Sequence, residues 1–381
     1  MKIIVNASTL VIGGGIQIGL SFIQESLRIT SVDWIYLVSP GIYSNLEPGL
    51  QSNYRVILIE NSPAKLLKGY ASRKKIYSIC KKIKPSIVYS IGFPSYIWFN
   101  EMEIGRYTNG WEINSPPLPW DTIKNPLSKI ITKAGIKYRL LWARNANFIE
   151  TQTEAAKKGI IRNTGIEPER VFVIPNSPNQ VFVENGLKER LDLLYEKKDD
   201  IAFCLSAPYA HKNLELIPEV AYWLCNKFKK RVSFILTLPK DSEVWRNIEI
   251  EAEKLNVNNL VTTVGVLKVN ECIEYYRKSK IVFLPTLLEV FSATYLEAMA
   301  MKVPIVTTDL EFAHDNCKDA AIYYEPRNSK DAALKIKNLL DDNYLYEEQI
   351  KKGVKILNSY PTIEEKFTLL LQTFTKISAD V

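Results

Sequence analysis

The stretch LPTLLEVFSATYLEAMA, residues 284–300, contains the turn that decides the fold of its half of the chain. The preceding run KIVFLP predicts a buried strand, and the spacing of ATYLEAMAMK predicts a helix that follows a corner at TLLEVFS. In open parallel sheets, ligands bind beyond the carboxyl ends of strands, where helix N-termini point N–H groups outward. We therefore expect the N–H groups of Phe291, Ser292 and Ala293 to face a bound anion.

Two glutamates flank this corner eight positions apart. Glu297 lies near the first turn of the predicted helix, where its carboxylate can accept hydrogen bonds from sugar hydroxyls, and Glu289 stands on the corner itself. The alternative reading makes Glu297 an ordinary favourable charge near a helix start and Glu289 a solvated side chain.

Short β-branched runs alternate with helical stretches along the whole chain, from KIIVNAS at the start to AAIYYEP near residue 325. This alternation predicts βαβ units and parallel sheets. Because it occurs once in each half of the chain, it predicts two doubly wound α/β domains. We place the domains at residues 1–179 and 180–360, with the boundary in the proline-containing and then charged segment 175–200. The C-terminal helix, residues 361–381, is expected to pack back on the first domain.

Composition excludes several classes of protein. The 381 residues are 46% hydrophobic and 24% charged, which is typical of a folded globular chain. The five scattered cysteines form no metal-ligand or CxxC spacing and fit a reducing cytosol. Neither a secretory signal nor an 18-residue apolar stretch is apparent, so we expect a cytoplasmic protein.

The positive charge is concentrated in the front half of the chain. Residues 1–180 hold 22 Lys/Arg against 12 Asp/Glu, although the net charge of the whole chain is only +7. Segment 65–85, KLLKGYASRKKIYSICKKIKP, predicts a basic amphipathic helix that contacts an anionic membrane leaflet. A solvated outer helix is the equal alternative, and nucleic-acid binding is disfavoured because no nucleic-acid-binding module accompanies the charge.

The front stretch VIGGGIQIG carries Gly13, Gly15 and Gly19 as GxGxxxG, one residue longer than the dinucleotide fingerprint. No acidic residue closes a second strand about twenty positions on, so a nicotinamide site is not expected. A tight strand-to-helix turn explains these glycines without a ligand.

Glu289-x7-Glu297 followed by AMAMKVPIVTTD resembles the signature of the retaining group 1 glycosyltransferases, sequence family 4, which have the GT-B fold. Other stretches lie at the family's expected distances, namely FIETQTEAAKKGI, VFVIPNSPNQVF, APYAHKNLELIPEVA and DAAIYYEPRNSKDAALKI. The resemblance covers residues 140–345 well and the front domain loosely. It implies two Rossmann-like domains whose parallel sheets face each other across a cleft.

The resemblance also implies residue roles. Lys212 matches the family's diphosphate-binding lysine, the amides at Phe291, Ser292 and Ala293 would bind the diphosphate, Glu289 the donor sugar and Glu297 the ribose hydroxyls. Gly14 and Gly15 match the glycine-rich first loop, where the backbone approaches the donor. No metal or other cofactor is implied, and the chain contains no Asp-x-Asp triplet.

Three positions depart from the family pattern. Ala207 stands where an arginine usually precedes the lysine by five residues, and the corner reads EVFS in place of Glu-Gly-Phe-Gly. Both histidines, His211 and His314, lie in the second half, so the front-domain histidine of many relatives is absent. We expect Asn109 or Trp111, in YTNGWEINSP, to replace it on the acceptor and donor-sugar side.

The function that the resemblance implies is a retaining hexosyltransferase for cell-surface polysaccharide, such as O-antigen, capsule or lipopolysaccharide. Its partners would be a nucleotide-sugar and a saccharide or polyprenyl-diphosphate-linked acceptor at the inner face of the cytoplasmic membrane. The alternatives are a catalytically silent nucleotide-sugar-binding or scaffold protein and a sugar-nucleotide epimerase of GT-B fold. A glycoside hydrolase is disfavoured because its two carboxyls must flank one bond.

Overall fold

The computed structural model describes residues 1–11, 14–113, 117–187 and 200–379. They form two units, each built around its own sheet. Unit 1 comprises Met1–Ile113, Ile130–Pro175 and Ile363–Val381, and unit 2 comprises Asn114–Lys129 and Asn176–Thr362. The observed division at residues 175/176 lies four residues before the expected boundary at 179/180. Nothing in the sequence indicated that residues 117–129 group with unit 2. Residues 188–199 of the expected linker lie outside the described part.

The strands are short, and all of the pairings between them are parallel. In chain order they are β1 Lys2–Ala7, β2 Asp33–Val38, β3 Val56–Leu58, β4 Ile87–Ser90, β5 Glu103–Arg106, β6 Phe148–Thr151, β7 Val171–Val173, β8 Ile201–Cys204, β9 Ser233–Leu236, β10 Val261–Thr263, β11 Ile281–Leu284, β12 Ile305–Thr308 and β13 Ala321–Tyr324.

Helices connect these strands and cover both faces of each sheet. In chain order they are α1 Gly14–Ser26, α2 Pro40–Tyr43, α3 Pro48–Gln51, α4 Tyr70–Ile83, α5 Gly110–Ile113, α6 Pro117–Trp120, α7 Pro126–Ala143, α8 Glu154–Thr164, α9 Gln180–Gly186, α10 Ile217–Tyr222, α11 Glu243–Lys254, α12 Val269–Lys278, α13 Ala293–Ala300, α14 Glu311–Cys317, α15 Ser329–Asp341, α16 Asn343–Leu357 and α17 Ile363–Ala379. A π-helical turn, Trp223–Lys227, extends α10.

The sheet of unit 1 has the order β3-β2-β1-β4-β5-β6-β7. Alternate residues of β1 face opposite sides, so Ile3 packs in one apolar cluster and Ile4 in another. The C-terminal helix α17 packs in the first of these clusters, where the Phe367 ring lies 5.0 Å from that of Phe22 and the Phe374 ring 5.1 Å from that of Tyr89. Burial of these rings fixes α17 on unit 1, because aromatic side chains dominate the energy of apolar packing.

The sheet of unit 2 has the order β10-β9-β8-β11-β12-β13. Its neighbouring strands β11 and β12 are buried at every residue, as expected for a parallel sheet covered on both faces. Helix α13 is buried along most of its length, at Tyr295, Leu296, Ala298, Met299 and Ala300. The turn at 285–292 is therefore held between a buried strand and a buried helix.

Candidate functional site

The site lies at the switch point of the unit 2 sheet. Strands β8 and β11 are neighbours, whereas the strands that follow them, β9 and β12, lie on opposite sides. The connections leaving β8 and β11 therefore diverge and leave a crevice beyond the carboxyl ends of the two strands. Lys212 lies in the first connection and Glu289 in the second.

The loop after β8 is attached directly to the corner after β11. Ala210–Lys212 form a single 3₁₀ turn, and Asn213 ends it with a φ of 53°, a left-handed conformation that asparagine adopts more readily than most residues. The backbone N–H of Leu287 donates to the carbonyl oxygen of His211 at 2.8 Å. This bond joins the two connections and fixes Lys212 relative to the corner.

Lys212 and Glu289 form an ion pair across 77 residues of sequence. The ammonium group of Lys212 donates to Oε1 of Glu289, and the hydroxyl of Thr286 donates to the same oxygen at 3.2 Å. Thr286 is itself anchored, because its carbonyl oxygen accepts from Thr308 Oγ1 at 2.7 Å. The side chains of Lys212 and Glu289 remain 20% and 12% exposed, so the pair is ordered but open to a ligand.

The tip of helix α13 presents unpaired donors. The helix begins at Ala293, and the side chain of the preceding Ser292 does not cap it. Within the described residues, no acceptor meets the N–H groups of Phe291, Ser292 or Ala293. The side chain of Val290, which departs from the family's glycine, is buried, so it leaves these donors uncovered. Such a set of donors suits an anion.

Glu297 is held by a residue that the sequence analysis missed. The hydroxyl of Tyr276, on α12, donates to Oε2 of Glu297 at 2.9 Å. Burial raises the pKa of Glu297, and the bond from Tyr276 opposes that rise. Tyr276 is one of two adjacent tyrosines in an amphipathic helix, and no sequence signal connects it with a carboxylate 21 residues later.

His211 is a neutral side chain at pH 7. Burial, and secondly the adjacent Lys212, lower the pKa of His211 to about 4. Its ring is stacked on that of Tyr209, with centroids 5.7 Å apart. Ala207 contributes no charge at the position where the family has an arginine, so Lys212 is the cation of this loop.

The front-half candidates lie in unit 1. Gly14 and Gly15 begin α1, and an added Cβ would meet nothing within 4 Å at Gly14 but would lie 3.2 Å from the Leu10 side chain at Gly15. Asn109 uses its amide within the unit, donating to Glu112 Oε1 at 2.7 Å and accepting from the Trp111 N–H at 3.1 Å. Trp111 is half-buried. Gly13 and residues 114–116 of YTNGWEINSP lie outside the described part.

In the described ranges, no group of three or more His, Cys, Asp or Glu side chains is arranged to hold a metal ion. No helix in the part of the chain that the structure describes is both long and apolar enough to cross a bilayer. The five cysteines are free thiols, and four of them are buried.

Comparison with known proteins finds a family match in the second half of the chain. Residues 188–356 match the family model described as glycosyl transferases group 1. The chain is 22% identical over 219 residues to the O-antigen chain mannosyltransferase RfbU of Salmonella typhimurium, a match that covers 57% of this chain and 55% of that protein. The chain thus spans about half the length of this curated relative.

Solved structures share the whole architecture. A glycosyltransferase from Rickettsia africae superposes with a TM-score of 0.71 at 17% identity, covering 99% of this chain and 98% of the other. Anabaena HepE, solved with UDP-glucose, gives a TM-score of 0.71 at 14% identity over 99% of this chain and 100% of its own. Both likenesses extend over nearly the whole chain and so concern the fold of both units. Residues 188–356 are thus similar to the group 1 glycosyltransferases, and the chain has the GT-B fold.

Proposed function

We propose that the protein transfers a hexose-type sugar from a nucleotide-sugar donor to a hydroxyl group of a saccharide. The observation that carries this proposal is the convergence of the Lys212 ammonium group and the free N–H groups at the tip of α13 on one switch point. A nucleoside diphosphate carries the charge that such a cation and such dipoles stabilise. Lys212 and the amides of Phe291, Ser292 and Ala293 would hold it.

The two glutamates bind different parts of the donor in this proposal. Glu297, oriented by Tyr276, accepts hydrogen bonds from the ribose hydroxyls. Glu289, oriented by Lys212 and Thr286, accepts them from the sugar. A carboxylate fixed by partners before the ligand arrives loses little conformational entropy on binding.

The reaction we propose retains the anomeric configuration by same-face substitution. The acceptor oxygen bonds to the anomeric carbon while the bond from that carbon to the phosphate oxygen breaks, and the departing oxygen takes the acceptor's proton. Negative charge grows on the diphosphate, next to Lys212. No protein base is needed, which agrees with a neutral His211 beside the lysine, and we propose that no metal is required.

Relatives suggest the class of donor and acceptor. HepE was solved with UDP-glucose, and RfbU is an O-antigen chain mannosyltransferase. We therefore propose a nucleotide-hexose donor and an acceptor that belongs to cell-surface polysaccharide and is carried on a lipid at the inner face of the cytoplasmic membrane. Gly14 and Gly15, in unit 1, are proposed to contact the donor, and Trp111 or Asn109 its sugar or the acceptor.

Segment 65–85 supports a membrane contact for such an acceptor. Leu66 and Leu67 are 70% and 90% exposed, and Lys65 and Lys68 flank them. Arg73 holds this turn through its guanidinium group, which donates to the Leu66 carbonyl oxygen at 2.7 Å. Exposed leucines between lysines suit the boundary of an anionic leaflet.

A thermal-shift screen of nucleotide-sugars tests the donor. A ligand at about 100 times its Kd stabilises the folded state by about 2.7 kcal/mol. We expect one nucleotide-sugar to raise Tm in the wild type and to raise it less in Glu297→Gln. Absence of any shift across the common nucleotide-sugars would contradict the proposal.

The missing arginine at Ala207 favours one alternative, a protein that binds a nucleotide-sugar without turning it over. Release of nucleoside diphosphate from the donor separates the two functions. Transfer or slow donor hydrolysis that is lost in Lys212→Met supports the enzyme, and binding without release supports the silent protein.

A further inference from the structure

Helix α7 carries two apolar faces, and only one of them is covered. Ile136 and Ala143 are its buried residues. Ile130, Ile131 and Leu141 are 64%, 62% and 60% exposed. At roughly 100° per residue, these three side chains project from the side of the helix opposite Ile136 and Ala143. A helix of a soluble monomer seldom leaves such a stripe in water.

Aromatic rings extend the exposed stripe beyond the helix. The Trp142 ring, on α7, lies 4.7 Å from the ring of Trp98, which is 67% exposed. Tyr138, one turn before Trp142, stacks on Tyr96 with centroids 5.9 Å apart. Tryptophan and tyrosine favour surfaces with one apolar and one wet side, as at the headgroup level of a bilayer.

The charged side chains of helix α7 itself have one sign. Helix α7 contains Lys129, Lys133, Lys137 and Arg139 and no acidic residue. Lys133 and Lys137 are exposed; Lys129 pairs with Asp121 at 3.9 Å, and Arg139 pairs with Glu112. A positively charged rim around an apolar stripe complements an anionic lipid surface.

The loop that carries Trp98 also reaches the basic helix of segment 65–85. Asn100 Nδ2 donates to Tyr77 Oη at 2.9 Å, and Tyr77 lies in the middle of α4. Lys74 and Lys81 are exposed on that helix. Within unit 1, the loop at residues 97–100 therefore joins the apolar stripe of α7 to a second cationic helix.

We infer that Ile130, Ile131 and Leu141 of α7, together with Trp98, insert into the headgroup region of an anionic membrane. The inference deepens the membrane contact proposed above. The reason for such a contact, access to a lipid-linked acceptor, rests on the proposed function. The vesicle experiment below does not depend on that acceptor. Pairing of the stripe with a second copy of the chain is disfavoured, because it would bring like charges on the two helices together. Segment 65–85 supplies cations and two leucines, and α7 supplies the larger apolar anchor.

Co-sedimentation of the full chain with vesicles tests the inference. The vesicles contain phosphatidylethanolamine with phosphatidylglycerol, and vesicles of phosphatidylcholine alone serve as the neutral comparison. We expect the double variant Ile130→Ser/Ile131→Ser to bind the anionic vesicles at least about tenfold more weakly than the wild type, because each isoleucine loses a large part of its burial energy. Ile250→Ser, at an exposed isoleucine of α11 in unit 2, is the matched control and should bind like the wild type.

Three outcomes would overturn the inference. They are equal binding of the double variant and the wild type, equal binding of the wild type to neutral and anionic vesicles, and a wild-type dimer in sedimentation equilibrium that the double variant lacks. Lys212→Met should bind vesicles normally, and the double variant should keep its release of nucleoside diphosphate from the donor in the absence of vesicles. Loss of the proposed chemistry would therefore appear in the donor assay alone, and loss of the membrane contact in the vesicle assay alone.

Discussion

Replacing Lys212 with methionine removes the cation at the switch point while keeping an unbranched side chain of similar length. Two unit charges about 4 Å apart, at an effective dielectric constant of about 20, interact by about 4 kcal/mol. Lys212 is one-fifth exposed, so solvent screens part of that energy. We therefore expect kcat to fall by about 10²–10³, the range found when one preorganised donor to a developing anion is removed.

The loss should appear mainly in kcat, because the charge on the diphosphate grows as the glycosidic bond breaks. The assay is release of nucleoside diphosphate under saturating donor, with KM measured separately. Lys254→Met is the matched control, because Lys254 also pairs with a glutamate, Glu251 at 3.0 Å, but on the exposed helix α11. It should leave kcat unchanged.

Stability separates a chemical role of Lys212 from a structural one. Lys212→Met leaves the Glu289 carboxylate with the Thr286 hydroxyl as its remaining partner in the described structure, at a cost of about 1–2 kcal/mol. Lys212→Met/Glu289→Gln removes that unpaired charge and should restore Tm without restoring turnover. A value of kcat/KM within about twofold of wild type in Lys212→Met would refute the reasoning. Recovery of turnover together with Tm in the double variant would do the same.

Three further predictions concern the rest of the site and the fold. Glu297→Gln should raise the donor KM by about tenfold or more, through loss of a charged hydrogen bond worth about 1.5–3 kcal/mol, and steady-state kinetics against donor concentration would measure this. Gly14→Ala should lower the affinity for the donor and leave Tm unchanged, because the added Cβ meets nothing within 4 Å. Gly49→Ala, where the added Cβ also meets nothing, is the control in calorimetric titrations. Equal donor affinities of the two variants would show that Gly14 is not part of the donor site. Burial raises the pKa of Glu103 to about 7, although Ser90 donates to it at 2.6 Å. The folded state thus binds a proton that the unfolded state has lost between about pH 4.5 and 7, so stability falls as pH rises through that window. Glu103→Gln should flatten this dependence and stabilise the fold by about 2–3 kcal/mol at pH 8 in urea titrations, and a pH profile like that of wild type would contradict the assignment.

The sequence alone determined the elements around the corner at residues 284–300. Local preferences and hydrophobic spacing predict a buried strand there, confirmed as Ile281–Leu284, and a helix beginning at Ala293. The alternation of strands and helices, repeated twice, predicts two doubly wound domains, and the resemblance to the family implied the GT-B architecture. Such signals persist in the sequence because they depend on residues close together in the chain.

The tertiary structure alone decided which side chains meet. Lys212 reaches Glu289 because β8 and β11 pair in the sheet. Tyr276 reaches Glu297 because α12 and α13 contribute to the same apolar cluster. Neither arrangement is encoded as a local pattern in the sequence. The exposed stripe of α7 could not be predicted either. Apolar residues on two sides of a helix predict that both sides are buried, whereas one side of α7 is exposed. Burial is a property of what the rest of the chain covers, and for this reason the partners of each site residue appear only when the whole fold is assembled.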